Sequence, residues 1–560
     1  MAAWPCTPLN SGVKIALAQE RALLRELRLE RFKAFATAEN IPVRPITLIY
    51  GPNSSGKSSV IQSLLLLKQT LLEAENPNIP LLPKGKIVDL GGYRELVSGH
   101  DTGHDLSFKL QLRSPHWHER APFGFGPFRK RSTDTEDVGM GLAFSYDESL
   151  DTATLASINV FIGKDELPVV TFKPDTKQEG SKADFYIGFD ARARSGQSML
   201  KVDKANYEHT FWRDVWSIRN ARYKEREDEL VKKLSAQKKR LQQTDVEGEI
   251  SDKTKARIRK IERDLEKIKN YTFAAAVKDF DKAHRNTFLT CSNFLPTDLR
   301  VTRLESPQDV EFDFLGYEPV PYATGPLTAL AVAAEVRAFL EAIIYVGPLR
   351  EFPERHYIFS GNLANDVGKS GGMVPDILFK DPALLDKVNE HFESFEIGYR
   401  LEVASVDERR PELHDVFALR LVDKITGVNV SIVDVGFGIS QVLPIIVQSM
   451  LSKGKTLLIE QPEIHLHPRL QSELASLLCE AIRQPYQNEF IVETHSEHLI
   501  LRLQRLMRSG QLKPEEVSVI YVHRTPEGSR CIPLRLDSKG EFLDRWPGGF
   551  FEESYHEIFS

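Results

Sequence analysis

The chain has 560 residues, 41% of them hydrophobic and 27% charged, with a net charge of −6. That composition suits a soluble protein of two or three packed units, and it excludes a disordered chain or one that coats nucleic acid along its length. Cys6, Cys291, Cys479 and Cys531 are scattered without CxxC pairing, so no disulfide framework or zinc site is expected, and a reducing cytosol is the expected location. The N-terminus, with Pro5 and Pro8, lacks the apolar core of a secretory signal. The longest apolar run, Leu327 to Val346, is interrupted by Glu335, Arg337 and Glu341, so no membrane association is expected.

Residues 1–20 read as an extension. Leu27 to Phe35 then alternates like a strand and is expected to lead into the central sheet. Within it, Arg31, Phe32 and Lys33 either approach a nucleotide or pack Phe32 and Phe35 into the core. Next comes Leu48-Ile49-Tyr50-Gly51-Pro52-Asn53-Ser54-Ser55-Gly56-Lys57-Ser58-Ser59, an apolar strand, a glycine loop and the start of a helix. This is a P-loop. Gly51 and Gly56 let the backbone wrap a phosphate chain, with Asn53, Ser54, Ser55 and Ser59 in the same turn. Lys57 reaches the terminal phosphates and Ser58 can ligate Mg2+, so ATP and Mg2+ are the expected cofactors.

From about 86 to 215, short alternating segments such as Leu106 to Leu112, Gly141 to Tyr146 and Val169 to Phe172 read as an antiparallel β insert. Residues 217–269 hold 17 Lys/Arg against 11 Asp/Glu. There Leu230, Leu234 and Leu241, and then Ile258, Ile261, Leu265 and Ile268, fit two heptad seams on either side of a polar break at Gln242 to Lys253. A coiled-coil hairpin is expected, either a solvated strut or a basic arm. Residues 274–343 read as mainly helical, and Ile343 to Arg350 as a core strand ending in a turn. Gly368-Lys369-Ser370 imitates a second P-loop, but Leu363 stands where its first glycine is required, and it is discounted.

Three further pieces lie toward the C-terminus. Val435-Gly436-Phe437-Gly438-Ile439-Ser440-Gln441 is a glycine turn into a helix. Thr456 to Glu463 is an apolar strand ending in acid, followed by Ile464-His465-Leu466-His467-Pro468. Phe490-Ile491-Val492-Glu493-Thr494-His495-Ser496 is a strand ending in histidine. Beside a P-loop, Glu460 is the candidate Walker B acid that holds Mg2+, and His495 can meet the γ-phosphate or the attacking water. The Gly438 to Gln441 turn offers N–H groups to a phosphate.

In this order, these motifs resemble the ABC-type ATPase heads of the SMC and overcoming-lysogenization-defect class, over about 27–110 and 340–560. With the coiled-coil insertion, Tyr345 to Arg350 and the tail Trp546 to Glu553, the chain is similar to the PtuA family, the ATPases of Septu and retron-associated anti-phage systems. The fold implied is α/β, an ABC-type P-loop head with an antiparallel β subdomain, a coiled-coil hairpin and a helical subdomain. Its parts are 21–112, 113–216, 217–273, 274–343 and 344–560. The resemblance implies a head-to-tail dimer or higher oligomer with ATP between one P-loop and the partner's signature turn. Ser440 and Gln441 would sense that γ-phosphate, and Ile464 to Pro468 would be the D-loop at the seam.

Glu460 stands where the family has aspartate, and Gln461 where the general-base glutamate follows. An amide orients water but takes no proton, so turnover is slow or Glu463 substitutes as base. Asp537, Glu541 and Asp544 form no Asp-x-Asp cluster, so no built-in nuclease is expected, and the resemblance implies a separate HNH nuclease of the PtuB type. In retron versions it also implies a reverse transcriptase with its multicopy single-stranded DNA. An SMC-like ATPase that clamps DNA for repair is the alternative.

Overall fold

The computed structural model describes residues 22–114, 117, 137–176, 183–188, 199–243, 251–269, 272–285, 287–302, 324–361, 364–405 and 415–547. The expectations for residues 1–20 and for the tail beyond Pro547 lie outside them. Two of the three sheets among the described residues, one of six strands and one of ten, organise the chain, and the fold class read from the sequence is the one observed. The first sheet has six strands. Ile343–Val346, Thr456–Glu460, Glu489–Glu493, Ile46–Tyr50 and Val517–Thr525 run parallel in that spatial order, and Gly528–Leu534 closes the edge antiparallel. Every residue of the Thr456, Glu489 and Ile46 strands is buried, as a parallel sheet covered on both faces requires.

Alternate side chains of these strands feed two different cores. Leu458, Ile491 and Ile520 join the helices Lys57–Glu73 and Thr324–Ala342 and the inner face of the second sheet. Leu457, Phe490 and Val492 face the helices Gly438–Leu451, Pro468–Ala481 and Glu497–Arg508. The second sheet has ten antiparallel strands, including Leu106–Arg113, Asp137–Asp147, Thr152–Ile162 and Val170–Pro174 where the insert was expected.

One expectation is corrected and another gains an element. The strand Leu23–Glu30 belongs to the antiparallel sheet and not to the P-loop sheet. Its burial alternates along Leu-Leu-Arg-Glu-Leu-Arg-Leu-Glu, and a strand with one wet face does not fit the centre of a doubly covered sheet. The segment 274–343, expected to be mainly helical, also carries a strand pair among its described residues. Between the helices Phe273–Arg285 and Thr324–Ala342, the strands Thr287–Ser292 and Leu295–Thr302 pair as a hairpin. Asn293, with φ of 58°, turns it, a position that asparagine accepts more readily than most residues.

The coiled-coil hairpin is present as the helices Thr210–Gln243 and Asp252–Lys269, packed together with Leu234 and Ile261 buried between them. Lys238 and Glu262 form an ion pair of 2.7 Å across the seam. The first arm starts earlier than the heptads suggested because Phe211, Trp212 and Val215 root it in the core, where Trp212 meets Phe280 and His284. Its 34 residues span about 50 Å. Among the described residues no helix is long and apolar enough to cross a membrane.

The two sheets are also tied by a buried acid. Glu489 accepts from Thr456 Oγ1 at 3.1 Å, receives the Leu24 amide and lies near Arg25; burial pushes its carboxyl up to about 8. The folded chain therefore holds a proton that the unfolded chain releases in the ordinary carboxylate range. Stability should fall as pH rises from about 5 to 8, and Glu489→Gln should flatten that decline in thermal unfolding read across pH. An unchanged slope in the variant would refute the assignment.

Candidate active site

The P-loop is a tight fit against its neighbours. Gly51 and Gly56 have φ of +148° and +100°, conformations that side chains rarely adopt. A Cβ on Gly51 would stand 2.3 Å from the Val522 carbonyl oxygen, and one on Gly56 2.6 Å from Ala34 Cβ. Asn53 and Ser54 are exposed on the loop, Ser58 is half-buried, and Ser55 and Ser59 are buried beneath it. Ser529 Oγ donates to the Ser55 carbonyl at 2.6 Å and ties the loop to the closing strand. Lys57, buried at the first turn of its helix, donates from Nζ to the carbonyls of Gly51 at 3.0 Å and Pro52 at 2.9 Å. Burial lowers its pKa, and Glu493 and Glu463 oppose that shift.

Of the residues before the loop, Phe32 and Phe35 are in the core. Arg31 bonds the Asp101 carboxylate at 2.6 Å and Lys33 donates to Gln62 Oε1 at 2.9 Å. Gly368-Lys369-Ser370 is a turn that supports the sheet edge: Gly347 N donates to the Lys369 carbonyl at 2.8 Å, and Lys369 Nζ to that of Ile87 at 3.1 Å.

The sheet order brings the distant motifs together. The strand Glu489–Glu493, which leads to His495, lies between the P-loop strand and the Walker B strand, with Glu493 in register with both Ile49 and Glu460. Glu460 is buried; its Oε1 accepts from the Tyr345 hydroxyl at 3.0 Å. Burial and then Glu493 push its carboxyl up to about 7, which the Tyr345 bond moderates. Gln461 follows with φ of 45°, its N–H donating to the Glu493 carbonyl at 2.8 Å. Arg350, buried, donates to the carbonyls of Glu460 at 3.1 Å and Gln461 at 3.4 Å, and burial lowers its pKa to about 10.

Glu463 clasps the neighbouring strand's end: Oε2 accepts from Thr494 Oγ1 at 2.8 Å and Oε1 from the His495 amide at 2.6 Å. His495 has its pKa lowered by burial and then by Lys57.

The signature turn packs on the segment that follows Glu463, where a Cβ on Gly438 would stand 3.1 Å from the His465 carbonyl oxygen. Gly438 begins its helix, Ser440 turns its hydroxyl inward to the Phe437 carbonyl at 2.7 Å, and Gln441 is 1% exposed. The accessible part of the turn is therefore Gly436 with the half-exposed Phe437 and Gly438, one step before the side chains singled out in the sequence. Phe437 packs on His465 of the expected D-loop at 5.1 Å and on the 77% exposed Phe352 at 4.7 Å. His467 caps the following helix through Nδ1. Among the described residues no group of three or more His, Cys, Asp or Glu can hold a metal by itself.

Sequence reasoning missed Glu493, Tyr345 and Arg350 as site residues. Glu493 had a visible signal, a second acid at a strand end two residues before the histidine. Tyr345 and Arg350 had none, because only the parallel pairing of Ile343–Val346 with Thr456–Glu460 brings them to the acid.

Together, the central parallel sheet, the P-loop at the end of one of its strands and the acids at the ends of the neighbouring strands form a P-loop ATPase head. Residues 357–500 match the family model described as AAA ATPase domain. Residues 512–560 match a second, described as Protein of unknown function (DUF3696). No curated protein matches the chain. Similar solved structures include the Smc head domain with an extended coiled coil bound to the C-terminal domain of ScpA from Pyrococcus furiosus. It is 10% identical with a TM-score of 0.35, over 96% of this chain and 98% of that one. The SMC head domain from Thermotoga maritima is 9% identical with a TM-score of 0.30, over 92% and 99%. At those scores neither likeness bears on the argument.

Proposed function

We propose that the chain is the ATP-binding and ATP-hydrolysing subunit of an anti-phage defence complex, and that its ATP-dependent head-to-tail dimerisation regulates a separate HNH nuclease. The observation that supports ATP chemistry is the convergence of Lys57, Ser58, Glu460, Glu463 and His495 beyond the ends of three adjacent parallel strands. Ser58 and Glu460, as oxygen donors, fit Mg2+, which would neutralise phosphate charge there. The defence role rests on the resemblance of the motifs and tail to PtuA proteins. In that reading a reverse transcriptase and its single-stranded DNA join in retron contexts. The coiled-coil hairpin equally suits the alternative, an SMC-like ATPase that clamps DNA.

Dimerisation has a specific test. Gly436 is exposed and a Cβ there would meet nothing within 4 Å, so Gly436→Arg should fold and bind ATP normally. Set on the face that receives the partner's nucleotide, the guanidinium should abolish ATP-dependent dimers in light scattering. Dimers that persist would refute the sandwich. Native co-purification from the operon separates the two readings. An HNH nuclease supports defence, and duplex DNA retained with ATP supports clamping.

A further inference from the structure

We propose that Glu493 is a carboxylate ligand of the divalent cation at Ser58, with Glu460 as its partner on the adjoining strand. This inference rests on the ATP reading above. Glu493 is 3% exposed, and among the described residues its Oε2 meets no hydrogen-bond partner. A buried carboxylate oxygen left without a donor is costly unless a cation completes it. The surroundings are built for one. Burial raises the pKa of the Glu493 carboxyl, and the Ser58 hydroxyl bonded to it and the Lys57 ammonium oppose that shift.

Glu460 differs on each count. Its Oε1 is engaged by Tyr345, and Lys369 and Arg350 lie on its side of the site. The acid that bears directly on the P-loop serine is thus the one on the middle strand. That follows from the sheet order, since the strand of Glu493 separates the strand of Glu460 from that of the P-loop. Two carboxylates and a hydroxyl leave several positions of an octahedral Mg2+ for phosphate and water, which matches a site that forms only with nucleotide.

The test titrates MgCl2 into the full chain holding a fluorescent, non-hydrolysable ATP analogue and reads the Mg2+ midpoint of the tight-binding state. Glu493→Gln keeps the shape and removes the charge; it should raise the midpoint roughly tenfold or more, and Glu460→Gln less. In thermal unfolding without metal, Glu493→Gln should stay close to wild type, because the relieved repulsion with Glu460 and the lost attraction to Lys57 oppose each other. It should also lose the stabilisation that Mg2+ with nucleotide confers. A midpoint within about twofold of wild type overturns the inference. Should the glutamine variant fail to fold, Glu493→Asp, with its shorter reach, is read by the same midpoint. A wild-type protein whose nucleotide binding ignores Mg2+ would instead refute the ATP reading itself.

Discussion

Lys57→Ala should weaken ATP binding by at least about a hundredfold, the loss expected when charge-assisted contacts to phosphate oxygens disappear. Nζ donates to the carbonyls of Gly51 and Pro52, inside the loop that would receive the phosphates. Burial costs this ammonium stability, and Glu493 and Glu463 offset part of that cost. A buried cation opposite two acids and bonded only to its own loop is poised to trade carbonyls for an anion. The alanine variant also leaves those carbonyls without their donor, so a modest loss of thermal stability should accompany it. Isothermal titration with the non-hydrolysable analogue reads the affinity, and circular dichroism confirms the fold. Wild-type affinity in the variant would refute the P-loop assignment.

What was legible in the sequence follows from how local each signal is. The P-loop was readable because the glycine spacing, lysine and serine all act within one turn of chain, and the fold gives each glycine a steric reason. The hairpin arms were readable from heptads, although the start at Thr210 was not, because Phe211 and Trp212 root it through contacts with distant helices. The strand Leu23–Glu30 was assigned to the wrong sheet because alternation identifies a strand but not its neighbours. At the site, Glu460 and His495 were found by position at strand ends. The roles of Glu493, Tyr345 and Arg350 depend on strand order, which no local pattern contains. Ser440 and Gln441 were chosen by motif, yet helical phase turns both inward.

Glu463 separates two accounts of turnover. The sequence offered it as a substitute for the missing general base at Gln461. In the fold both its oxygens are accepting, one from Thr494 Oγ1 and one from the His495 amide, so it braces the strand end that carries the histidine. Burial raises its pKa, and these same two bonds oppose the shift. The brace needs acceptors and not a charge. Glu463→Gln keeps a carbonyl for the His495 amide and an amide that Thr494 can accept from, so it should retain turnover within a few-fold and most of the stability. Glu463→Ala removes both bonds, each worth about 1.5–3 kcal/mol to a charged acceptor, and should lower stability and cut turnover far more than ATP affinity. A base would give the opposite pattern, since glutamine and alanine are equally unable to take a proton. Steady-state ATPase rates of the two variants, set beside their unfolding temperatures, decide between a brace and a base.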